Sequence, residues 1–158
     1  MCLIVTLIAV VGMILGLLTL NPLWLLFLLL PTVGYEAYRT QEGATTKFSS
    51  IVLLILLILE IILVLFGINF NLADFFGESE KYVAGYTVPL GDVKVVGPVL
   101  MGVLSAILIF RTYGKYTKWL SIVIAVSSLV AVFLINPGFL SEVLKVIAGG
   151  LFDRLSAF

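Results

Sequence analysis

One carboxylate, Glu60, interrupts a run that otherwise consists almost entirely of isoleucine, leucine and valine, and it is the clearest candidate for chemistry in this sequence. An ionised carboxylate within a bilayer is costly, so we expect Glu60 to be protonated, paired, hydrated or turned towards the protein interior. Such a group can act as a proton or cation relay if its access to water alternates between the two sides. The alternative is a neutral glutamic acid that hydrogen-bonds to its neighbours and serves helix association.

Four hydroxyl residues are expected at a depth similar to that of Glu60 when the chain crosses the membrane in alternating spans with a rise of about 1.5 Å per residue. They are Thr32, Ser105, Ser127 and Ser128. Together with Glu60 they would form a polar layer near the midplane. Each hydroxyl can equally bond to its own helix backbone, in which case the shared depth is a coincidence. We expect the spans to contain no carboxylate besides Glu60.

The residue types that are missing exclude several kinds of chemistry. The chain has no histidine and a single cysteine, Cys2, so a single copy cannot supply the usual ligand sets for zinc, haem, copper or iron–sulfur clusters. A Ser-His-Asp triad is impossible, and no G-x-S-x-G motif or phosphate-binding glycine loop is present. We therefore expect no metal, no cofactor and no enzymatic activity.

The composition is that of a membrane protein. Hydrophobic residues make up 62% and charged residues 11% of the chain, and the mean hydropathy is +1.26. The apolar residues form runs long enough to cross about 30 Å of hydrocarbon. The formal net charge is zero, and the basic residues are spread over short loops, which argues against a nucleic-acid partner. The predicted fold class is an all-α integral membrane protein.

About five transmembrane helices are expected, over approximately 3–20, 22–38, 50–66, 96–110 and 119–135. The first run lacks a basic segment and a cleavage site, so we interpret it as a retained helix. Asn21 is suited to cap the second helix and Pro22 to its first position, while Pro31 is expected to kink it. Residues 39–49 are predicted to form a polar loop.

The segment 69–95 is the least hydrophobic part of the chain and is expected to be external. Residues 81–88 and 92–96 are rich in β-branched side chains and flank a turn sequence at Pro89, Leu90 and Gly91. A small β-hairpin across this turn is one expectation, and an irregular loop is the other.

The C-terminal segment 137–158 is expected to be an amphipathic helix in the membrane interface, separate from a transmembrane bundle over 1–136. Its apolar residues recur at helical spacing, and most of its charged residues lie off that stripe. The stripe consists of Leu140, Val143, Leu144, Ile147, Leu151 and Leu155.

The orientation follows from the short loop that carries Arg111, Lys115 and Lys118, because basic residues close to membrane crossings favour the cytoplasm. With five spans, this places the N-terminus in the cytoplasm and the C-terminus outside.

Gly12 and Gly16 form a GxxxG pattern within the first helix, which permits the close approach of a second helix. The leading functional hypothesis is a non-enzymatic integral subunit or scaffold of a larger membrane complex, with the lipid bilayer and other membrane subunits or further copies of the chain as partners. The alternative is a small proton- or cation-coupled transporter or channel component that uses Glu60.

Overall fold

The computed structural model describes residues 1–40, 43–68, 81–83, 86–88 and 93–156, and within these residues the fold is helical. Six helices are present in this part of the chain: α1 (Cys2–Thr19), α2 (Pro22–Arg39), α3 (Ala44–Leu65), α4 (Val93–Arg111), α5 (Lys115–Ile135) and α6 (Pro137–Ser156). Two strands of three residues each, β1 (Lys81–Val83) and β2 (Tyr86–Val88), pair in antiparallel fashion between α3 and α4.

The hairpin expected across Pro89, Leu90 and Gly91 is not formed. The turn itself lies outside the described residues, but the expected second strand, 92–96, belongs to α4 from Val93 onwards. These β-branched residues lead directly into a long apolar run. A segment that enters a bilayer must satisfy its backbone groups internally, and a helix does this without a partner strand.

The first five helices form a bundle. Each of α1 to α4 packs against the next helix in the chain, and α5 also packs against α1 and α2, which closes the arrangement. Helix α6 packs against α5, and none of its residues is buried.

The interior of the bundle is more polar than its surface, the reverse of the arrangement expected in water. Buried leucines such as Leu25, Leu29 and Leu57 share the interior with buried serine, threonine and glutamate side chains. Many large apolar side chains lie exposed along the helices, more than a soluble monomer normally presents. Four helices are long and apolar enough to cross a membrane, namely α1, α3, α5 and α4 from Lys94 to Arg111. The chain is a multi-pass membrane protein.

A two-residue connection, Leu20 and Asn21, joins α1 to α2. Leu20 adopts a left-handed conformation (φ 52°), and its N–H donates to the Gly16 carbonyl, which ends α1. The Asn21 side chain accepts a hydrogen bond of 3.0 Å from the Leu23 N–H, and Pro22 occupies the first turn of α2. The predicted cap and proline start are confirmed.

Helix α3 begins at Ala44, six residues earlier than expected, so the polar loop predicted over 39–49 is wrong in its second half. The hydroxyls of Thr46 and Ser50 donate to the carbonyls of Gly43 and Thr46, at 3.0 and 2.9 Å, and both side chains are buried. Polar residues can continue a membrane helix in this way because they use its own backbone as a partner. Glu60 lies five residues before the end of this 22-residue helix, and the earlier start places it further from the middle of the helix than expected.

Candidate functional site: two buried carboxyl groups

Glu60 of α3 is completely buried, with 0% of its surface exposed. Its carboxyl group lies against Gly97 of α4, in the space that a side chain at that position would occupy. A Cβ built on Gly97 would overlap Glu60 Oε2 and would lie 3.1 Å from Cδ. The next residue, Pro98, lies inside α4 and has no N–H to donate to the carbonyl one turn earlier. The start of α4 therefore offers Glu60 a recess beside an interrupted helical hydrogen-bond ladder.

A second buried carboxyl group belongs to Glu36 of α2, which is 1% exposed. Its Oε1 atom lies 3.1 Å from the hydroxyl of Ser121 on α5 and 3.5 Å from the hydroxyl of Thr40. Its Oε2 atom has no hydrogen-bond partner among the described residues. The prediction that the spans contain no carboxylate besides Glu60 is therefore wrong.

The four hydroxyl residues expected near Glu60 are all buried. Thr32 donates to the carbonyl of Val5 on α1 at 2.9 Å and so links two helices. The other three donate to carbonyls of their own helices: Ser105 to Met101 and Gly102, Ser127 to Val123, and Ser128 to Ile124, at 2.6 to 2.9 Å. Own-helix bonding was the alternative foreseen for these serines. The hydroxyl oxygens can still accept a further hydrogen bond.

Three contacts give the relative depths of these groups along the bundle. Glu36 contacts Ser121, and Glu60 contacts Gly97; between them, a Cβ on Gly102 would lie 3.7 Å from the Cβ of Ser128. The seven residues from Ser121 to Ser128 and the five from Gly102 to Gly97 add up to about 18 Å at about 1.5 Å per residue. The two carboxyl groups therefore lie in opposite halves of the membrane-crossing bundle.

The hydroxyl layer lies between the two carboxyl groups rather than level with Glu60. Counting along the same helices places Thr32 and Ser105 about 6 Å, and Ser127 and Ser128 about 9 to 10 Å, from the level of Glu36. Glu60 is a further 8 Å or so beyond the serine pair by the same count. The expected depth of Glu60 is wrong because α3 begins at Ala44 rather than at Ser50. The earlier start moves the middle of the helix away from Glu60.

The separation of the two carboxyl groups decides what chemistry they can share. A hydrolytic pair of carboxylates shares one proton at about 3 Å, which Glu36 and Glu60 cannot do. Direct proton transfer between them is equally impossible over about 18 Å without intermediate groups. Each can bind a proton or cation by itself, near its own end of the bundle. Within the described residues, no three histidine, cysteine, aspartate or glutamate side chains come together as a metal site would require.

Gly12 and Gly16 contact helices of the same chain. A Cβ on Gly12 would lie 2.7 Å from the Cβ of Leu28, and one on Gly16 would lie 3.1 Å from the Cβ of Leu25, both on α2. Leu134 of α5 also approaches Gly16. The GxxxG face therefore allows α1 and α2 to pack closely and is not open to another subunit.

A signal for Glu36 was present in the sequence. Glu36 continues a stripe of α2 that recurs at spacings of four, three and four residues, and every member of the stripe is buried. The stripe is Leu25, Leu29, Thr32 and Glu36. Glu36 could have been identified because it lies on the same face of α2 as the buried leucines. Its position on that face is more informative than its position within an apolar run.

Comparison with known proteins adds no assignment, since no family model, curated protein or solved structure matches the chain.

Proposed function

We propose that this chain is a component of proton- or cation-coupled transport across a membrane, in which Glu60 and Glu36 are the groups that change charge. The observation that supports this most directly is the burial of two carboxyl groups in opposite halves of the bundle. The described hydrogen-bond partners of the Glu36 carboxyl are the hydroxyls of Ser121 and Thr40, and neither is a base. Ionisable groups placed in this way within a membrane mark proton and ion pathways.

Each carboxyl lies nearer to a different surface. Glu36 is three residues from the end of α2, and Glu60 is five residues from the end of α3, at the opposite end of the bundle. A proton or cation can therefore reach each group from its own side, while the buried hydroxyls and leucines between them separate the two. Alternating access then requires the central layer to open, and the recess at Gly97 and Pro98 is a suitable point of flexibility on the Glu60 side.

Flux through reconstituted vesicles tests this proposal. We expect the purified protein to carry protons or cations above the level of protein-free vesicles, and Glu60→Gln and Glu36→Gln each to reduce the flux to that level. Glu142→Gln is the matched control, because Glu142 is an exposed carboxylate on α6 and should leave the flux unchanged. Unchanged flux in Glu60→Gln, or no flux in the wild-type protein under any gradient, would contradict the proposal.

We further propose that α2 is a fifth span, with the N-terminus in the cytoplasm and the C-terminus outside. Helix α2 has the same length as α1, 18 residues, and runs antiparallel beside it, as the contacts of Gly12 with Leu28 and of Val5 with Thr32 indicate. The polar residues Thr32 and Glu36 of α2 are buried in the bundle, so this less hydrophobic helix can still present apolar side chains to lipid.

Thiol labelling in intact cells tests this topology. Cys2 and an introduced Lys47→Cys should react on the same side and Ala148→Cys on the other, the introduced thiols being placed in a Cys2→Ser background. If α2 does not cross, Cys2 and Lys47→Cys will react on opposite sides.

A second candidate function is that of an integral subunit or scaffold of a larger membrane complex. It is favoured by α6, which packs against α5 but buries none of its residues and leaves Leu144, Ile147 and Leu151 exposed. Purification from the native membrane in mild detergent should then recover stoichiometric partners or further copies of the chain. A homogeneous monomer, together with proton or cation flux by that monomer, would reject this candidate.

A further inference from the structure

The hydroxyl groups around Glu36 have more acceptors within reach than they have protons. Ser121 Oγ lies 3.1 Å from Glu36 Oε1 and 2.9 Å from the carbonyl oxygen of Thr117. Thr40 Oγ1 lies 3.5 Å from the same Oε1 and 2.8 Å from the carbonyl oxygen of Glu36. Each hydroxyl carries one proton and can donate to only one of its two acceptors at a time.

Neither backbone carbonyl depends on these hydroxyls. The Glu36 carbonyl already accepts the Thr40 N–H at 2.9 Å, and the Thr117 carbonyl lies within α5, where the N–H four residues later is its regular donor. The hydroxyl protons can therefore rotate between carboxyl and carbonyl without leaving a backbone group unsatisfied. Rotation of a hydroxyl moves no heavy atom.

We propose that Glu36 and Ser121 form a proton-binding site in which rotation of the serine hydroxyl accommodates both charge states. When Glu36 is ionised, Ser121 donates its proton to Oε1. When a proton from water binds Oε1, the new O–H donates to Ser121 Oγ, and the serine proton turns to the Thr117 carbonyl. The hydroxyl of Thr40, at the limit of hydrogen-bond distance from the same oxygen, can turn its own proton between Oε1 and the Glu36 carbonyl.

A proton fits this site better than a metal ion. The described neighbours of the carboxyl supply only two hydroxyl oxygens, whereas hard metal cations take about six oxygen ligands. Helix α2 ends about one helical turn after Glu36, so a proton from the aqueous surface has a short distance to travel.

Among the described residues, Glu36 is the only buried titratable side chain at this end of the bundle. The other charged groups at this end of α2 and of the helices packed against it are exposed. They are Arg39 on α2, Lys47 on α3, Lys115 and Lys118 on α5, and the amine of Met1 before α1. Cys2 of α1 and Tyr35 of α2 are half-buried, and Tyr35 accepts a hydrogen bond from Arg39. The proton on Glu36 is therefore the only nearby source of a buried charge change among the described residues.

Infrared difference spectroscopy of the full chain in vesicles tests this inference, which rests on the proposed function for its role but is measured without transport. In a Glu60→Gln background, acidification should produce a carbonyl band of a protonated, buried carboxyl, and Glu36→Gln should abolish it. Ser121→Ala should move the band to higher frequency because the carboxyl loses its partner, while Ser121→Thr, which keeps a hydroxyl, should leave it near its original position. Ser127→Ala is the matched control, since Ser127 is buried on the same helix but bonds to Val123, and it should have no effect.

Absence of the band, or a band that Ser121→Ala leaves unchanged, would overturn the inference. So would a band that appears on removal of sodium at constant pH, which would identify a cation site. If the wild-type protein shows the band but no flux, the transport proposal is rejected and the proton-binding site is retained. If flux depends on Glu36 but the band is absent, the proton-binding site is rejected and the transport proposal is retained.

Discussion

Gly97→Ala is the substitution for which the structure gives the sharpest expectation. The added methyl group would overlap the carboxyl end of Glu60 and would lie 3.1 Å from its Cδ, so the buried side chain must move. Overpacking of this kind costs about 1–3 kcal/mol. A glycine-to-alanine change in an unobstructed helix is instead favourable by about 0.5–1 kcal/mol. The net expectation is a free energy of unfolding lower by up to about 2 kcal/mol.

Three comparisons separate steric overlap from other effects. Gly102→Ala lies in the same helix, where its Cβ would meet Ser128 Cβ at an ordinary 3.7 Å, and it should be neutral or slightly stabilising. In a Glu60→Ala background the obstacle is gone, so Gly97→Ala should no longer destabilise. In a Glu60→Gln background the side chain keeps its size, and the destabilisation should remain. The effect of Gly97→Ala on the free energy of unfolding should therefore differ by about 1–3 kcal/mol between the Glu60→Ala and Glu60→Gln backgrounds, and this difference is the coupling energy.

Reversible unfolding in mixed micelles, followed by circular dichroism, measures these free energies. Equal effects of Gly97→Ala and Gly102→Ala on the free energy of unfolding would refute the position assigned to the Glu60 carboxyl. An equal penalty in the Glu60→Ala and wild-type backgrounds would show that the cost, if any, arises elsewhere in α4. Either result would also remove the structural basis for a recess at this point of the proposed pathway.

Three further changes test the α1–α2 contact by the same unfolding measurement. Gly12→Ala should lower the free energy of unfolding by up to about 2.5 kcal/mol, because the new Cβ would lie 2.7 Å from the Cβ of Leu28 and this overlap outweighs the helix preference of alanine; a stabilising effect would place the helices further apart. Thr32→Val should cost only about 0.6 kcal/mol, since the Val5 carbonyl keeps its helical N–H when the hydroxyl is lost, and a loss several times larger would indicate a network beyond this bond. Asn21→Ala should cost about 0.5–2 kcal/mol through loss of the N-cap, and a stabilising effect would contradict the capping geometry.

The membrane class and the approximate positions of most helices were predictable because they depend on apolar runs and local caps. Asn21 and Pro22 illustrate this, since a cap and a proline start need only adjacent residues. The start of α3 was misplaced because composition alone cannot show that Thr46 and Ser50 use the helix's own carbonyls as partners. A polar sequence at a membrane boundary is compatible with either a loop or a continued helix.

The site was predictable only in part, for a different reason. Glu60 is conspicuous because every neighbour in the sequence is apolar, whereas Glu36 stands between tyrosine and alanine near a basic helix end. The helical spacing of α2 marks Glu36 as a candidate, but its partner Ser121, 85 positions away in the chain, cannot be identified from that spacing. The recess at Gly97 is equally invisible in sequence, since a glycine near a proline usually indicates a turn. Long-range contacts of this kind depend on how the helices pack, which periodicity does not determine.

The two-residue connection between α1 and α2 also has a consequence for biogenesis. Helix α2 contains two prolines, a glutamate and an arginine, and it would enter a bilayer poorly by itself. Helix α1 has no charged residue and emerges from the ribosome first, and Leu20 and Asn21 are too short a tether to let the two separate. If α2 crosses the membrane as proposed, the two helices should be inserted together as a hairpin, in which the more hydrophobic α1 helps the less hydrophobic α2 to enter the lipid. Lengthening this connection would remove that assistance, and the protein would be expected to fail during synthesis even where the finished fold could tolerate the insertion.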